Sequence, residues 1–307
     1  IVEIAEKSWY LQISLNKDRE SSMADGRKLF GWGIDGCLDR VQVASNLTFS
    51  KKKVIGYLLV VSSKVSLAQI KKKLPDGIAS WQLADLSKKK GRLIQLAADQ
   101  GPVVLLRVDK ASRKSLDFGY HGPSDFQMAR DIGGQLFGIL DSPIKADWNI
   151  EFEGVSEDSI KGLLVGLEMG SYKYLAATSK VGLKGPTLKV LGASKSNISE
   201  AKVLGRSVNV ARHLVNTPAM ELNPQSFVKA VKSLFAGDKS VKVDTWNTER
   251  LKKEKMGLIL GVGGAAAIGP RMLHIRYRPV AAKGDPIAFV GKGITFDSGG
   301  LDIKPAS

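Results

Sequence analysis

Short apolar runs alternate with stretches of helical periodicity along the first 150 residues of the chain. Four runs have the length and composition of β-strands: residues 9–14, 54–61, 92–97 and 103–108. Apolar residues recur at helical spacing in residues 66–74 and 124–137. Because strands that alternate with helices usually form mixed, mostly parallel sheets, this pattern predicts an α/β domain.

Further elements follow in the same style. Ser156, with two acidic residues after it, predicts the start of a helix that runs to about residue 177, and residues 187–191 resemble a closing strand. Ser199 is the predicted cap of a long helix that Asn216-Thr217-Pro218 ends. We interpret this helix as a connection between two domains.

The last third of the chain predicts the start of a second α/β domain. Asn223-Pro224 begins a helix, and residues 241–243, 273–277 and 287–290 are predicted strands, the last two as neighbours in one sheet. The resulting domain boundaries are 1–195 for an N-terminal α/β domain, 196–216 for the linking helix and 217–307 for the second domain.

Charged residues and glycines are combined in a way that suggests a site only in the loop after the last predicted strand. That loop carries Lys292, Asp297 and Lys304 among four glycines. An aspartate can bridge two divalent cations, a lysine forced close to them can bind as a neutral amine, and a charged lysine can polarise a carbonyl. The alternative is a glycine-rich turn with two solvated lysines and a helix-capping aspartate. Residue chemistry alone leaves both interpretations open.

Other candidate sites are weaker. Residues 257–264 are rich in glycine but match neither a dinucleotide fingerprint nor a P-loop, so we interpret them as close backbone packing beside the site. His121, His213 and His274 stand at no ligand spacing and are predicted to be structural. Ser298 has no plausible base beside it, which argues against a serine hydrolase.

The segment Val290-Gly-Lys-Gly-Ile-Thr-Phe-Asp-Ser-Gly-Gly-Leu-Asp-Ile-Lys-Pro305 resembles the first metal-binding segment of the leucyl aminopeptidase family, the two-metal cytosolic-type aminopeptidases. Residues 205–224 and 256–279 are similar to family segments as well. The resemblance implies Lys292 as a ligand of one metal ion, Asp297 as the bridging ligand of both, and Lys304 as the catalytic lysine near the scissile carbonyl. The implied cofactors are two divalent metal ions, Zn or Mn.

The resemblance also carries expectations for the whole molecule. It implies a macro-domain-like N-terminal α/β domain, a linking helix, and the first part of an α/β metallopeptidase domain. It further implies peptide substrates, a leucine-type preference, a hexamer and a cytoplasmic location. Family members continue beyond the equivalent of Ser307 with a second metal aspartate and an Asn-Thr-Asp-Ala-Glu-Gly-Arg segment, so we expect this chain to be an incomplete portion that is inactive alone.

The amino-acid composition excludes two structural features, a membrane-spanning run and an intrachain disulfide. The 307 residues are 43% hydrophobic, which suits two globular domains, and no apolar run is long enough to span a membrane. The single cysteine, Cys37, excludes an intrachain disulfide.

The net charge is +16, part of it in the lysine triplets 51–53, 71–73 and 88–90. These triplets are interpreted as ordinary solvated charge, and any nucleic-acid binding is expected to be weak. The second hypothesis is a catalytically inactive basic binding or scaffold protein with an aminopeptidase-like fold, with nucleic acid as its candidate partner.

Overall fold

The computed structural model describes residues 2–5, 41–44, 55–85, 93–108, 115–116, 120–121, 124–141, 147–174, 186–280 and 282–296. Contacts divide them into two compact units. The amino-terminal unit holds the described residues of 34–174 and 182–212, and the carboxy-terminal unit holds residues 2–5 together with those of 213–296. The predicted strand at residues 9–14 lies outside the described residues, as does Cys37.

The described strands are β1 (Val2–Ala5), β2 (Val41–Val43), β3 (Ile55–Ser62), β4 (Leu93–Ala98), β5 (Gly101–Val108), β6 (Ser115–Leu116), β7 (Tyr120–His121), β8 (Asp147–Glu153), β9 (Leu188–Leu191), β10 (Val241–Trp246), β11 (Met272–Tyr277) and β12 (Pro286–Phe289). The described helices are α1 (Leu67–Lys73), α2 (Ser80–Asp85), α3 (Asp125–Leu140), α4 (Glu157–Gly170), α5 (Lys195–Asn216), α6 (Pro224–Leu234), α7 (Thr248–Lys253) and α8 (Gly257–Gly263).

The amino-terminal unit is built on a six-stranded sheet with the order β2-β9-β8-β3-β5-β4. All neighbours in it are parallel except β4, which runs antiparallel to β5. The predicted mixed, mostly parallel sheet is confirmed. Strand β8, which the sequence pattern did not indicate, lies beside β3 near the centre of this sheet.

Apolar side chains cover both faces of the central strands. Leu58 and Val60 on β3 pack into a core on one face together with residues of α3 and α4. Tyr57, Leu59 and Val61 alternate with them and pack on the other face, where Ile70 of α1 joins the core. Burial on both faces explains the continuous apolar run of β3, which is typical of a central strand in a parallel sheet.

Three helices of this unit, α1, α3 and α4, begin as the sequence predicts. The side chain of Ser66 accepts a hydrogen bond from the Gln69 backbone N–H at the start of α1, and Ser124 does the same for Gln127 at the start of α3. In both cases the glutamine side chain returns to the backbone of the cap, which completes a capping box. Ser156 caps α4 in the predicted position.

Two predicted helix bounds are wrong. Helix α4 ends at Gly170, where the Ser171 N–H donates to the Leu167 carbonyl, instead of continuing to about residue 177. Helix α5 begins at Lys195, because the Ser194 hydroxyl accepts from the Asn197 N–H at 3.0 Å. Ser199 therefore lies inside this helix and does not cap it. Ser194, five residues upstream of the predicted cap, caps the helix instead.

Helices α3 and α4 pack with their backbones in close contact. An added Cβ at Gly133 would lie 2.3 Å from the Leu163 carbonyl oxygen, and one at Gly166 would lie 2.0 Å from that of Arg130. The facing helix backbone thus leaves no room for a larger residue at Gly133 or Gly166. This pair of helices forms the layer over one face of the sheet.

The carboxy-terminal unit contains a four-stranded sheet with the order β10-β11-β1-β12. Strand β1 is parallel to β11 and antiparallel to β12. The prediction that β11 and β12 are neighbours is therefore wrong, because β1, from the other end of the sequence, pairs with both. Helix α6 starts at the predicted Asn223 cap, whose side chain accepts from two backbone N–H groups.

The domain boundaries at residues 195 and 216 remain a prediction. The residues that the structure describes include no helix with the length and apolar character needed to cross a membrane.

Candidate functional site

The candidate site follows strand β12, at the point where regular structure ends. Of the three predicted site residues, Lys292 belongs to the described part of the chain, and its side chain is exposed. An added Cβ at Gly291 or Gly293 would meet no atom within 4 Å, so the backbone beside Lys292 is open on both sides. Asp297 and Lys304 lie outside the described residues, and the three residues as a set remain a prediction.

The predicted two-metal site needs several ligands close together in the structure. Among the described residues, no group of three or more His, Cys, Asp and Glu side chains could hold a metal ion. Lys292 offers one amine, which is too few ligands for even one ion. The described residues therefore do not fit a two-metal centre by themselves, and further ligands must come from elsewhere.

The structure of the glycine-rich residues 257–264 differs from the predicted close backbone packing. Residues 257–263 form helix α8, in which no residue is buried. Added Cβ atoms at Gly257 and Gly261 would meet nothing within 4 Å, whereas one at Gly263 would lie 2.8 Å from the Cβ of Pro270. Close packing is thus absent at Gly257 and Gly261, and it is present at Gly263 and at Gly264, where an added Cβ would lie 2.6 Å from the Leu260 carbonyl oxygen. The position of this stretch beside the site remains a prediction.

A polar cluster that the sequence pattern did not reveal joins β10 to α7. The Asp244 carboxylate accepts hydrogen bonds from Trp246 Nε1 at 3.1 Å and from Arg250 Nη1 at 3.0 Å. The Arg250 guanidinium also lies 4.3 Å from the centre of the Trp246 ring. The hydrogen bond from Trp246, with the charge and hydrogen bonding of Arg250, lowers the pKa of Asp244. The spacing Asp-x-Trp-x₃-Arg across a strand end was the available signal.

A second arginine fixes the turn that leads into β11. Arg271 Nη1 donates to the Thr248 hydroxyl at 3.0 Å and to the carbonyls of Gly269 and Pro270 at 3.1 and 3.0 Å. Thr248 is the first residue of α7, so this arginine holds the turn onto the start of that helix. Both clusters stabilise the framework of the unit and supply no free carboxylate to the candidate site.

The three histidines lie on three different elements of the fold. His213 is 4% exposed within α5, and burial lowers its pKa to about 4. His274 lies on β11 in register with Asp244 of β10. His121 is in the short strand β7, and its surroundings lie outside the described residues.

The sequence around the candidate site matches the profile of a known family. The profile of the catalytic domain of the cytosol aminopeptidase family matches residues 209–307, which include Lys292, Asp297 and Lys304. A probable cytosol aminopeptidase from Leifsonia xyli is 38% identical over 241 residues, which make up 76% of this chain and 46% of that protein. The matched residues, 209–307, carry the sequence of this family's catalytic domain. The resemblance to leucyl aminopeptidases is thereby confirmed.

Solved structures of this family share the fold. A tomato leucine aminopeptidase mutant superimposes with a TM-score of 0.53 at 18% identity, covering 76% of this chain and 50% of that one. The bottromycin maturation enzyme BotP in complex with Mn gives a TM-score of 0.52 at 15% identity, covering 74% and 46%. At these identities the likeness concerns the fold, and it confirms the α/β class. The chain spans about half the length of the curated relatives that it matches.

Proposed function

We propose that this chain supplies part of a metal-dependent aminopeptidase that removes N-terminal amino acids, with a leucine-type preference, from peptides. The observation that supports the proposal most directly is the family match over residues 209–307, which includes the segment around Lys292. Since the chain spans about half of its relatives, the activity is assigned to the whole protein and not to these 307 residues alone.

Each site residue has a proposed role. Lys292 would hold one of two divalent ions, Zn or Mn, as a neutral amine, and Asp297 would be a shared ligand of both. When bound, the two ions supply an activated water and a Lewis acid for the peptide carbonyl. Lys304 stays charged and stabilises the negative charge that develops on the carbonyl oxygen.

The location, the oligomeric state and the substrates that the resemblance implies are also proposals. We place the whole protein in the cytoplasm, in line with the name of its relatives, and propose a hexamer that acts on peptide substrates. BotP, a solved structure with the same fold, is in complex with Mn, which is one of the two candidate ions.

Substitution of the two lysines in the intact protein tests the roles. Lys292→Ala should lower the affinity for at least one metal ion, because a ligand is lost. Lys304→Ala should keep both ions and lose mainly the rate constant of the chemical step. Metal titration by calorimetry, beside steady-state kinetics with a leucyl anilide, separates the two effects.

Lys283→Ala is a matched control, since Lys283 is an exposed lysine of the same unit. It should change neither metal affinity nor turnover. The assigned roles are wrong if Lys292→Ala binds two ions as tightly as the unsubstituted protein, or if Lys304→Ala keeps full turnover.

The second candidate function is an inactive basic scaffold that binds nucleic acid. The net charge of +16 favours it, together with the exposed Lys71 and Lys72 at the end of α1. Filter binding of single-stranded DNA distinguishes the candidates. A scaffold function requires tight binding that persists at near-physiological salt, whereas the enzyme hypothesis expects weak binding that salt abolishes.

A further inference from the structure

Strands β10 and β11 form an antiparallel pair with one apolar face and one charged face. Residues directly opposite each other lie on the same face, and successive residues of a strand alternate between the faces. The apolar face carries Val241, Val243, Leu273 and Ile275. The other face carries Lys242, Asp244, His274 and Arg276. Because this alternation is typical of a sheet with one face in water, the charged face belongs to the surface of the carboxy-terminal unit.

Three cations lie together at one end of the charged face. Lys242 is directly opposite Arg276, and the Cβ atoms of such pairs are about 4.5 to 5.5 Å apart. The Arg278 backbone N–H donates to the Ser240 carbonyl at 2.8 Å, which continues the strand pairing. Arg278 is therefore on the same face as Arg276, two residues further along. The side chains of Lys242, Arg276 and Arg278 are all exposed.

The three cations have no partner within the part of the chain that the structure describes. None of their side chains forms an ion pair or a hydrogen bond with another described residue. Like charges directly opposite each other destabilise a strand pair. An anion that binds between Lys242 and Arg276 relieves this repulsion, and arginine makes strong, charge-assisted hydrogen bonds to carboxylates.

The acidic residues around the three cations do not cancel their charge. Asp238 and Asp244 already accept hydrogen bonds from side chains of their own segments. Glu3 of β1 is in register with Arg276, so it can compensate one of the charges. Among the described residues of the whole unit, thirteen are Lys or Arg and seven are Asp or Glu. This excess of positive charge favours an anionic partner.

The register of the sheet relates these cations to the candidate site. Arg276 pairs with Glu3 of β1, and Glu3 pairs with Ala288 of β12. Two strand spacings, about 10 Å, therefore separate Arg276 from Ala288. Lys292 follows Ala288 by four residues, which span at most about 14 Å. The backbone of Arg276 is thus within about 24 Å of that of Lys292.

An extended peptide can span this distance. It advances about 3.3 Å per residue, so about seven residues cover 24 Å. We propose that Lys242, Arg276 and Arg278 bind acidic side chains of the substrate, at about the fourth to seventh residues from its amino terminus. This inference rests on the proposed aminopeptidase function and adds a substrate class to it, namely peptides with an acidic segment behind a neutral amino-terminal one.

The location of the cations favours a peptide over nucleic acid. Residues 209–307 match the catalytic domain of a peptidase family, and this segment includes all three cations. Substrate peptides must reach this unit if the proposed function holds. The lysine triplets at residues 51–53, 71–73 and 88–90 lie outside the matched segment.

Two peptides test the proposal with the intact protein. Both begin with Leu-Ala-Ala, which is followed by four glutamates in one peptide and by four glutamines in the other. The initial rate of leucine release gives kcat/KM for each. At low salt the glutamate peptide should have a kcat/KM about fivefold higher, mainly through a lower KM, because several exposed ion pairs form. The ratio of the two values should fall as salt rises.

Substitution of the three cations assigns the effect. The test variant replaces all three with glutamine: Lys242→Gln, Arg276→Gln and Arg278→Gln. The control variant removes the same charge from other exposed positions of the unit: Lys229→Gln, Lys232→Gln and Lys283→Gln. The ratio should fall to about one in the test variant and persist in the control variant, because only the test variant loses the contacts.

Circular dichroism checks that both variants are folded. If the test variant is not, Arg278→Gln alone provides the measurement, since Arg278 lies just beyond the end of β11. This single substitution should lower the ratio by about twofold.

Three outcomes would overturn the proposal while leaving the aminopeptidase function intact. They are equal kcat/KM values for the two peptides, a ratio that both triple variants lower equally, and inhibition of both peptides by single-stranded DNA that the test variant abolishes. The last outcome would assign the cations to nucleic acid. If neither peptide loses leucine, the proposed function fails, and this inference fails with it.

Discussion

The phenolic hydroxyl of Tyr57 donates a 2.7 Å hydrogen bond to Glu151 Oε2, joining β3 to β8 inside the amino-terminal unit. Tyr57 is 1% exposed and Glu151 is 9% exposed, so the carboxylate is buried. Lys73 Nζ donates to the other oxygen of Glu151 at 2.5 Å and lies 2.9 Å from Glu153. The buried charge is therefore compensated, as a core carboxylate requires. Burial and the hydrogen bond to Glu151 raise the pKa of Tyr57.

Tyr57→Phe should destabilise the protein by about 1 to 2 kcal/mol, because it removes one hydrogen bond to a charged acceptor and preserves the ring packing. Urea denaturation followed by circular dichroism measures the difference. Tyr277→Phe, on β11 in the carboxy-terminal unit, is the control and should change stability by less than about 0.5 kcal/mol. An equal effect of both variants would show that the Tyr57–Glu151 bond is not special.

The lysine triplet at the end of α1 should divide into two kinds of residue. Lys71 and Lys72 are exposed, whereas Lys73 forms ion pairs with Glu151 and Glu153 that raise its pKa. Lys73→Gln should cost about 1 to 3 kcal/mol, since it leaves the buried carboxylate short of a partner. The double variant Lys71→Gln with Lys72→Gln should leave stability nearly unchanged in the same urea titration.

The same variants bear on nucleic-acid binding. If the charge is only solvated, the double variant should weaken single-stranded DNA binding slightly and reduce its dependence on salt. Tight binding that survives the double substitution would contradict the interpretation of this triplet as ordinary surface charge.

The contacts of Glu151 with Tyr57 and Lys73 also show what the sequence could not predict. The apolar runs predicted β3 and β5, and the helical spacing of apolar residues predicted α1 and α3, since local periodicity determines these elements. Strand β8 was missed because Asp147, Glu151 and Glu153 interrupt its apolar pattern. Glu151 is buried by partners that are distant in sequence, and no local pattern reports such contacts.

A motif predicted the residues of the candidate site, whereas no sequence pattern predicted the order of strands in the sheet around it. The motif identifies Lys292, Asp297 and Lys304 as residue types at a spacing, which a single sequence displays directly. The order of strands depends on long-range pairing instead. Val2 of β1 pairs with Ile275 and Phe289, and this contact separates two strands that are adjacent in sequence order.

Close helix packing gives a prediction with a built-in contrast. Gly166→Ala should destabilise the protein by about 3 kcal/mol, because the added Cβ would lie 2.0 Å from the Arg130 carbonyl oxygen and would force α3 and α4 apart. Gly138→Ala, also on α3, meets nothing within 4 Å and should stabilise by about 0.5 to 1 kcal/mol. Urea midpoints of the two variants should thus move in opposite directions. A small loss at Gly166 would mean that the helices can separate freely.

Buried His213 should make the protein sensitive to mild acid. Burial lowers the pKa of His213 to about 4 in the folded chain, against about 6.5 when it is unfolded. Between these values the unfolded chain binds a proton that the folded chain does not bind. The stability that neutral His213 contributes is therefore complete above about pH 6.5 and is lost as pH falls towards 4, with an upper limit of about 3 kcal/mol.

Comparison with His213→Gln isolates this contribution. The hydrogen bond from Lys161 lowers the pKa of Glu200, whose linked stability is lost below its ordinary value of 4.5, so the interval from pH 6.5 to 4.5 mainly reports histidine. Glutamine does not titrate, so the variant should lose less stability than the unsubstituted protein over that interval, even if it is less stable at pH 7.5. Urea titrations of both proteins at pH 7.5, 6.5, 5.5 and 4.5 measure the two slopes. Parallel slopes would show that His213 takes up its proton equally in the folded and unfolded chains.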